Sequence, residues 1–376
     1  MKIKVNAATW KTAVTKANSL AGKVSGNPNE SCVQINIKEN DSYLYVVEAG
    51  VHNTKINLTD IEIIEEGNCY IQVNSLSNLT KALFSKELII EANNNKLIYH
   101  VEGLGANSEP IFHNQSPFHG MVFAAEDYSL VAEGETTFSK LLKNNIKHFI
   151  DDLDKNTKTS INVVLNGESS VISGDASLSG GLVYTFTSEL EGSFSIKTSL
   201  LKSMSFILED LDSFKLEKGN TTIKISSSKG ESILTISKVN ETSLNYRIKS
   251  FTDTEDSLAM VKSEELSNAV RWQSYNAEDG NCISIQSQED KLLIKGDKTE
   301  EASSLEYNES SPFNLIKLTA DGFTKAVATL PKDNVATLKT TLTEIVGRDP
   351  IKSILVIHET DDYTSTAYLS EPMLLS

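Results

Sequence analysis

The sequence predicts an α+β protein in which one module, two helices packed on antiparallel sheets, occurs three times in tandem. Three observations predict this fold. A strand–helix unit recurs at two nearly equal intervals, short alternating strands fill the rest of each interval, and helix-like segments make up a quarter or less of the 376 residues. The period of about 125 residues is the length of a small domain and is too long for a solenoid repeat.

The recurring unit is clearest where a strand at 194–196 leads into an amphipathic run at 198–208. Apolar residues follow Ile196 at plus five, plus eight and plus twelve, and the same offsets from Ile71 and Leu318 also reach apolar residues. The three starting residues are 125 and 122 positions apart, and an apolar strand-like run follows each helix. Chance is the alternative, but it would have to produce both the nearly equal spacing and the strand-like run after each helix. The twelve positions are Ile71, Leu76, Leu79, Leu83, Ile196, Leu201, Met204, Leu208, Leu318, Phe323, Ala326 and Leu330.

Each third of the chain therefore reads strand, helix, strands, strand, helix, strands. The first helix has apolar residues at helical spacing over 10–17, and Gly22 is its expected stop. Asn166-Gly167 is a strong hairpin signal. The polar segment 252–256 is a natural boundary between the second and third modules.

Composition favours two or three globular domains in a reducing compartment. The formal net charge is −16, and the three cysteines, Cys32, Cys69 and Cys282, lie far apart. Such cysteines support neither a disulfide framework nor a Cys-x-x-Cys metal site. The chain begins as an alternating strand without the apolar core of a signal peptide, and no apolar run approaches the roughly eighteen residues of a membrane span. We expect a cytoplasmic protein with no membrane contact, no metal and no cofactor.

The positive charge is concentrated in the segments that read as helices. These stretches are 1–29, 74–86, 135–150, 192–208, 263–275 and 313–332. Together they hold +12, so the rest of the chain holds −28. Lysines on a solvated helix face are the alternative, but glutamate is an equally good helix former and is nearly missing from five of the six stretches. A shared basic face would meet phosphates by charge alone, which favours a protein that tracks DNA without sequence preference.

No catalytic motif is present. The sequence lacks G-x-x-x-x-G-K-[ST], G-x-S-x-G and H-E-x-x-H. The acidic runs 151–154 and 209–212 follow helices but lack the spaced ligands and central glycine of a calcium loop, so solvated helix ends explain them better. We expect no enzymatic activity.

Three tandem modules with basic helices in an acidic chain resemble the bacterial sliding clamp, the β subunit of DNA polymerase III. The initial strand and helix are followed by Gly22-Lys23, where the family has a basic residue near DNA. Asn245-Tyr246-Arg247 lies where the family has a Pro-Asp-Tyr-Arg segment. The tail at 368–376 is similar to the family's final strand and Met-Pro-Met-type end, so the similarity spans the full length.

Two segments depart from the family pattern. The family's Thr-Asp-Gly-His-Arg-Leu segment is Ser-Gly-Asp-Ala-Ser-Leu at 173–178, and Glu371 and Leu374 change the tail. A divergent clamp, such as one encoded by a phage or plasmid, fits these departures.

The resemblance implies three DNA-clamp domains, 1–121, 122–252 and 253–376, which assemble as a head-to-tail homodimeric ring. The helices of such a ring line a hole for double-stranded DNA. A pocket between the second and third domains takes short peptides from the DNA polymerase and the clamp loader. The implied function is that of a processivity factor, which encircles duplex DNA without sequence specificity and tethers the replicative polymerase.

The expected site residues follow from the basic helices and from position within the family. The DNA-binding set is Lys11, Lys16, Lys23, Lys81, Lys140, Lys143, Lys147, Lys202, Arg271 and Lys325. The partner-peptide pocket set is Gly174, Ala176, Ser177, Leu178, Phe251, Leu369, Pro372, Met373 and Leu374.

Several alternatives stay open at the level of sequence. An acidic, β-rich multidomain virion or surface protein that binds other proteins would scatter its lysines over unrelated faces. An enzyme would need convergent polar groups in a cleft. Trp272 and Tyr275 belong either to the core or to the ring interface. The apolar tail residues Met373, Leu374 and Leu375 belong either to the core or to a partner groove.

Overall fold

The computed structural model describes all residues except 22–30, 82, 84–86, 94, 104, 113–115, 152–159, 175–179, 240–243, 245–257, 278–281, 289–290, 310–314, 344–350 and 372–376. Within the described residues the α-helices are α1 (Ala7–Leu20), α2 (Val73–Lys81), α3 (Thr137–Asp151), α4 (Leu201–Ser205), α5 (Ser263–Ser274) and α6 (Ala320–Ala328). Short 3-10 turns span Gly167–Ser169, Thr198–Leu200 and Ile207–Glu209.

The strands of the described residues form four antiparallel sheets. In chain order they are β1 (Lys2–Asn6), β2 (Cys32–Ile37), β3 (Tyr43–Glu48), β4 (His52–Asn57), β5 (Ile61–Glu65), β6 (Gly67–Gln72), β7 (Glu87–Asn93), β8 (Lys96–Val101), β9 (Gly105–Pro110), β10 (Ser129–Glu133), β11 (Ser160–Asn166), β12 (Ser170–Gly174), β13 (Gly180–Phe186), β14 (Glu191–Lys197), β15 (Lys215–Lys218), β16 (Thr222–Ser227), β17 (Gly230–Thr235), β18 (Leu258–Lys262), β19 (Cys282–Gln288), β20 (Lys291–Gly296), β21 (Ser303–Glu306), β22 (Asn308–Glu309), β23 (Ile316–Thr319), β24 (Val335–Thr343), β25 (Ile351–Glu359) and β26 (Tyr363–Ser370).

The chain divides into two compact units, Met1–Lys143 with Ser199–Ile236, and Asn144–Thr198 with Ser237–Ser376. The first unit holds a five-stranded sheet, β5-β1-β7-β8-β9, and an eight-stranded sheet, β10-β15-β16-β17-β4-β3-β2-β6. The second holds a nine-stranded sheet, β14-β11-β12-β13-β26-β25-β24-β18-β22, and a four-stranded sheet, β21-β20-β19-β23. The predicted α+β class with antiparallel sheets is confirmed, and the three domain boundaries stay a prediction.

The same strand pairing occurs three times along the chain. The strand that opens each third, β1, β10 or β18, pairs with the strand after the second helix of that third, β7, β15 or β24. The strand before that helix, β6, β14 or β23, pairs with β2, β11 or β19 respectively. The repetition expected from the sequence is therefore present in the strand pairing.

The twelve spaced apolar positions all lie in the core. Each is at most 9% exposed, and each second helix is followed by the expected strand, β7, β15 or β24. The residues at plus five and plus eight lie three positions apart on each helix, and the residue at plus twelve lies just beyond it, so one apolar face is buried. The recurring pattern is thus a burial pattern, and this prediction is confirmed.

Helix α1 is fixed at its start and along its buried face. The Asn6 side chain caps it by accepting a hydrogen bond from the Ala8 amide at 2.8 Å. The fully buried Trp10 donates its indole N–H to the Tyr99 hydroxyl at 2.5 Å, and that hydroxyl also lies 3.2 Å from Thr80 Oγ1. One buried hydroxyl therefore joins α1, α2 and β8. The helix ends at Leu20, and the predicted stop, Gly22, lies outside the described residues.

The second helix of the middle third is shorter than the amphipathic run at 198–208 suggests. It consists of a 3-10 turn, the five-residue α4 and a second 3-10 turn. Ser203 donates its hydroxyl to the Leu200 carbonyl at 2.5 Å, and Ser205 donates to the Lys202 carbonyl at 2.9 Å. Serine hydroxyls that compete for backbone carbonyls shorten and tighten helical segments, which accounts for the difference.

A buried histidine lies where β4 and β17 pair within the first unit. His52 is opposite Leu234 and is 3% exposed. Its Nε2 lies 3.0 Å from the Leu20 carbonyl and its Nδ1 lies 3.1 Å from Thr54 Oγ1. Burial lowers the pKa of His52 from 6.5, against the opposing effect of the bond to Leu20. The neutral imidazole is therefore part of the folded state.

We expect the free energy of unfolding to fall as the pH drops below about 6.5. Above that pH His52 is neutral in both states; below it the unfolded chain gains a proton that the buried ring resists, so stability is lost. His52→Gln keeps a nitrogen donor but does not titrate, and should reduce the loss of unfolding free energy between about pH 7 and pH 5, measured in urea titrations. The exposed His119→Gln is the matched control, and a His52→Gln curve as steep as wild type contradicts the assignment.

Candidate nucleic-acid interface

The solvent face of α1 carries lysine and no acid. Its buried residues recur every three or four positions from Ala7 to Leu20 and turn that face to the protein. Lys11 is exposed and Lys16 half-buried, and the rest of the exposed stripe is alanine, threonine and serine. Nothing on this helix offsets its positive charge.

Lysines from α1 and α3 converge on one residue of the first unit. Lys16 Nζ lies 3.1 Å from each carboxylate oxygen of Glu209 and 5.3 Å from the centre of the Phe206 ring. Lys143 donates to the main-chain oxygen of Glu209 at 3.3 Å. Helix α1 also contacts both α2 and α4. The structure therefore brings Lys16 of the first third and Lys143 of the second third to the same residue, and the shared basic face stays a prediction.

The other predicted cations of this unit are exposed. Lys81 ends α2 and Lys202 lies on α4, and neither has an ion pair with a described residue. Lys140 lies 2.8 Å from Glu135, and the hydrogen bond from this lysine lowers the pKa of that carboxyl. The cations of this region are thus a mixture of paired and unpaired groups.

In the second unit the predicted cations lie on two helices that pack together. Arg271 is exposed near the end of α5, and Lys325 on α6 lies 2.9 Å from Asp321 one turn earlier. Ser267 of α5 donates its hydroxyl to the Val327 carbonyl of α6 at 3.1 Å. Two glutamates occupy the first turn of α5, so this helix is less basic than α1.

Part of each predicted site falls outside the described residues. Lys23 and the side chain of Lys147 do so for the DNA-binding set. For the peptide pocket these are Ala176, Ser177, Leu178, Phe251, Pro372, Met373 and Leu374. The described pocket residues lie on one sheet: Gly174 ends β12, Leu369 lies on β26, and both strands pair with β13 between them. Leu369 is buried, opposite Gly180.

Trp272, in the last turn of α5, and Tyr275, directly after the helix, are not core residues. They are 67% and 85% exposed. Between them Gln273 is buried and donates its amide to Ser303 of the edge strand β21 at 3.0 Å. The two rings therefore lie at the end of a helix that is fastened to β21, and among the described strands β21 has one neighbour, β20. An exposed aromatic pair in this position is typical of a protein interface.

Three solved structures that share this fold are bacterial DNA polymerase sliding clamps or β subunits. The DNA polymerase III β subunit of Borrelia burgdorferi matches with a TM-score of 0.79 at 12% identity, with 100% of both chains covered. The DNA polymerase sliding clamps of Bacillus subtilis and Pseudomonas aeruginosa give TM-scores of 0.77 and 0.73 at 12% identity, also over 100% of both chains. The chain has the sliding-clamp fold. No family model and no curated protein matches the sequence.

The likeness confirms the resemblance inferred from the sequence at the level of the fold. A structural match at 12% identity supports the fold but not the roles of individual residues, so those roles are argued from the geometry of this chain. Among the described residues, no helix is long and apolar enough to cross a bilayer. In the same part of the chain, no group of three His, Cys, Asp or Glu side chains is placed to hold a metal ion.

Glu209 is the residue of this clamp fold that sequence reasoning misses. In the sequence, 209–212 reads as a solvated helix end, but Glu209 bridges two helices and Asp210 accepts hydrogen bonds from Ser213 and Ser228. These bonds lower the pKa of Asp210. Glu209 and Lys16 are 193 positions apart, so no local spacing could join them.

Proposed function

We propose that this protein is a DNA sliding clamp, a processivity factor that encircles double-stranded DNA as a head-to-tail homodimeric ring. It acts in the cytoplasm without catalysing a reaction and without a cofactor. It tethers a replicative polymerase, and an ATP-driven loader opens the ring. The observation that carries the proposal is the strand pairing that occurs three times along the chain. By that pattern the edge strands β9 and β21 match each other, but they do not pair within one chain in the described residues.

Internal junctions support closure into a ring. The last strand of the second third, β17, pairs with β4 of the first, and the last strand of the final third, β26, pairs with β13 of the second. β9 is the last strand of the first third, and β21 holds the position in the final third that β4 and β13 hold in theirs. The pattern therefore predicts that β9 pairs with β21. In the described residues, however, β9 pairs only with β8 and β21 only with β20. A free edge offers unpaired N–H and C=O groups to another chain. Two copies that pair β9 with β21 at both contacts close a ring of six modules.

The aromatic pair at the end of α5, Trp272 and Tyr275, supports the same contact. Helices α1 and α5 each begin directly after a five-residue strand, and their buried residues coincide when one is shifted onto the other, Ala7 onto Ser263 and Ala17 onto Gln273. The same shift places Trp272 where α1 has Lys16. Since Lys16 reaches the end of the second helix in the next third, Trp272 should reach the equivalent segment of the partner copy.

The basic helices support DNA as the occupant of the ring. Lys16 and Lys143 come from different thirds of the chain and meet at one residue, while the remainder of the chain is strongly acidic. Cations on one surface attract phosphates without reading bases. Because a closed ring cannot dissociate sideways, each contact can be weak and the ring can still slide.

We place the peptide pocket on the sheet that carries Gly174 and Leu369, two of the residues that the resemblance assigns to it. Gly174 and Leu369 lie on strands that flank β13, in the sheet that joins the second and third modules. An apolar groove there would take short peptides from the polymerase and the loader. The remaining pocket residues are carried over from the resemblance.

Primer extension with the cognate polymerase and loader tests the proposal. We expect the product length per binding event to increase by at least about tenfold when this protein is added, because a tethered polymerase rebinds its template at high effective concentration. Heat-denatured protein is the control. Product lengths that are the same with and without the native protein refute the tether and favour the acidic protein-binding alternative.

A further inference from the structure

The strongest unassigned feature is the carboxylate between the two converging lysines. Glu209 presents both oxygens to Lys16 at 3.1 Å, the arrangement in which two phosphate oxygens would receive the same ammonium group. Its side chain is 52% exposed, and that of Lys16 is 26% exposed. The pair is therefore accessible to solvent and to a ligand that carries negative charge.

Separating the pair costs little and leaves Lys16 in place. Exposed ion pairs contribute about 0–1 kcal/mol, so an incoming phosphate can replace the carboxylate. The ammonium group stays positioned because the Phe206 ring, which is 3% exposed, lies under it at 5.3 Å. Lys143 bonds to the main-chain oxygen of Glu209, so it does not compete for the carboxylate.

A predicted DNA-binding lysine is paired with a nearby carboxylate at two other positions. Lys140 has Glu135 at 2.8 Å and Lys325 has Asp321 at 2.9 Å. Lys11 and Lys202, in contrast, are exposed without an ion pair to a described residue. Some of the predicted DNA-binding lysines are thus paired with a carboxylate of the same chain, and others have no ion pair with a described residue.

We propose that Glu209 is an internal competitor for DNA phosphate at Lys16, which weakens the hold of the ring on DNA and so favours sliding. This inference rests on the proposed DNA-binding function. Glu209 acts through Lys16 and is a positioning residue without a contact of its own to DNA. A purely structural ion pair is the alternative, and it predicts a loss of stability without a gain in affinity.

Glu209→Gln should tighten binding of the full chain to a short linear duplex about fivefold at about 50 mM salt, measured by fluorescence anisotropy. The plot of log K against log salt should steepen, by at most about 0.9, because Lys16 then contacts a phosphate in a larger fraction of the complexes. Glu39→Gln removes the same charge from an exposed turn and should leave both quantities unchanged. Thermal unfolding of each variant monitors the fold.

Lys16 provides the second, independent readout. Lys16→Gln should reduce affinity less than Lys11→Gln, because Lys16 gives up an internal carboxylate when it binds DNA and Lys11 does not. In the Lys16→Gln background, Glu209→Gln should give no gain. Unchanged or weaker binding by Glu209→Gln, or a gain that persists without Lys16, overturns the inference while wild-type binding stands. Absence of wild-type DNA binding at low salt overturns the proposed function and the inference together.

Discussion

Replacing Lys11, Lys143 and Lys202 by glutamate should lower the affinity for duplex DNA by on the order of a hundredfold at about 50 mM salt. The three side chains are exposed on α1, α3 and α4, helices of the first unit that belong to the predicted basic face. Each reversal removes a counterion-releasing contact and adds repulsion. The salt dependence of binding should become shallower by about 0.9 for each contact that is lost.

The matched control changes the same net charge away from the helices. Lys38, Lys96 and Lys229 are exposed residues in or beside turns between strands, and their triple glutamate variant should bind DNA with nearly wild-type affinity. Long-range repulsion alone acts on both variants equally and is screened beyond about 10 Å at about 0.1 M salt. Equal losses in the two triple variants would mean that the helices form no specific DNA surface.

Replacing Trp272 and Tyr275 by aspartate should convert the proposed dimer to a monomer. Buried aromatic anchors commonly cost 2 kcal/mol or more each when truncated, so we expect the dissociation constant to rise by about a thousandfold or more. The rings are 67% and 85% exposed in the single chain, so the substitutions should leave the fold of α5 unchanged. Sedimentation equilibrium measures the mass directly.

Ile64→Asp is the control for the loss of an exposed apolar side chain. Ile64 is 51% exposed on β5, an edge strand that the proposed ring does not use. This variant should stay dimeric. A dimer that survives the double aspartate substitution, or one that Ile64→Asp disrupts, places the subunit contact elsewhere.

The features that the sequence predicts are those with a local signature. The spacing of Leu201, Met204 and Leu208 from Ile196 identifies a strand followed by a helix, because burial on one face imposes a period of three to four residues. The same rule locates α1 from Trp10 onwards. Repetition of this signature at two intervals is sufficient to predict the module and its three copies.

The features that the sequence does not predict depend on contacts between distant segments. The pairing of β17 with β4 brings Leu234 opposite His52. The alternation of residues within a strand does not identify the strand with which it pairs. The bridge from Lys16 to Glu209 likewise depends on how two distant segments of the chain meet. The 3-10 turns around α4 depend on hydroxyls that bond to nearby carbonyls. Only three-dimensional packing determines these features.

Encirclement of DNA is tested most directly by comparing primer extension on a circular and on a linear form of one template. A loaded ring is retained on a circle but slides off the free ends of a linear duplex. We therefore expect this protein to lengthen the products on the circular template by at least about tenfold and to have little effect on the linear one. Equal stimulation on both templates would mean that the protein holds DNA by contact and not by encirclement, which would contradict the ring.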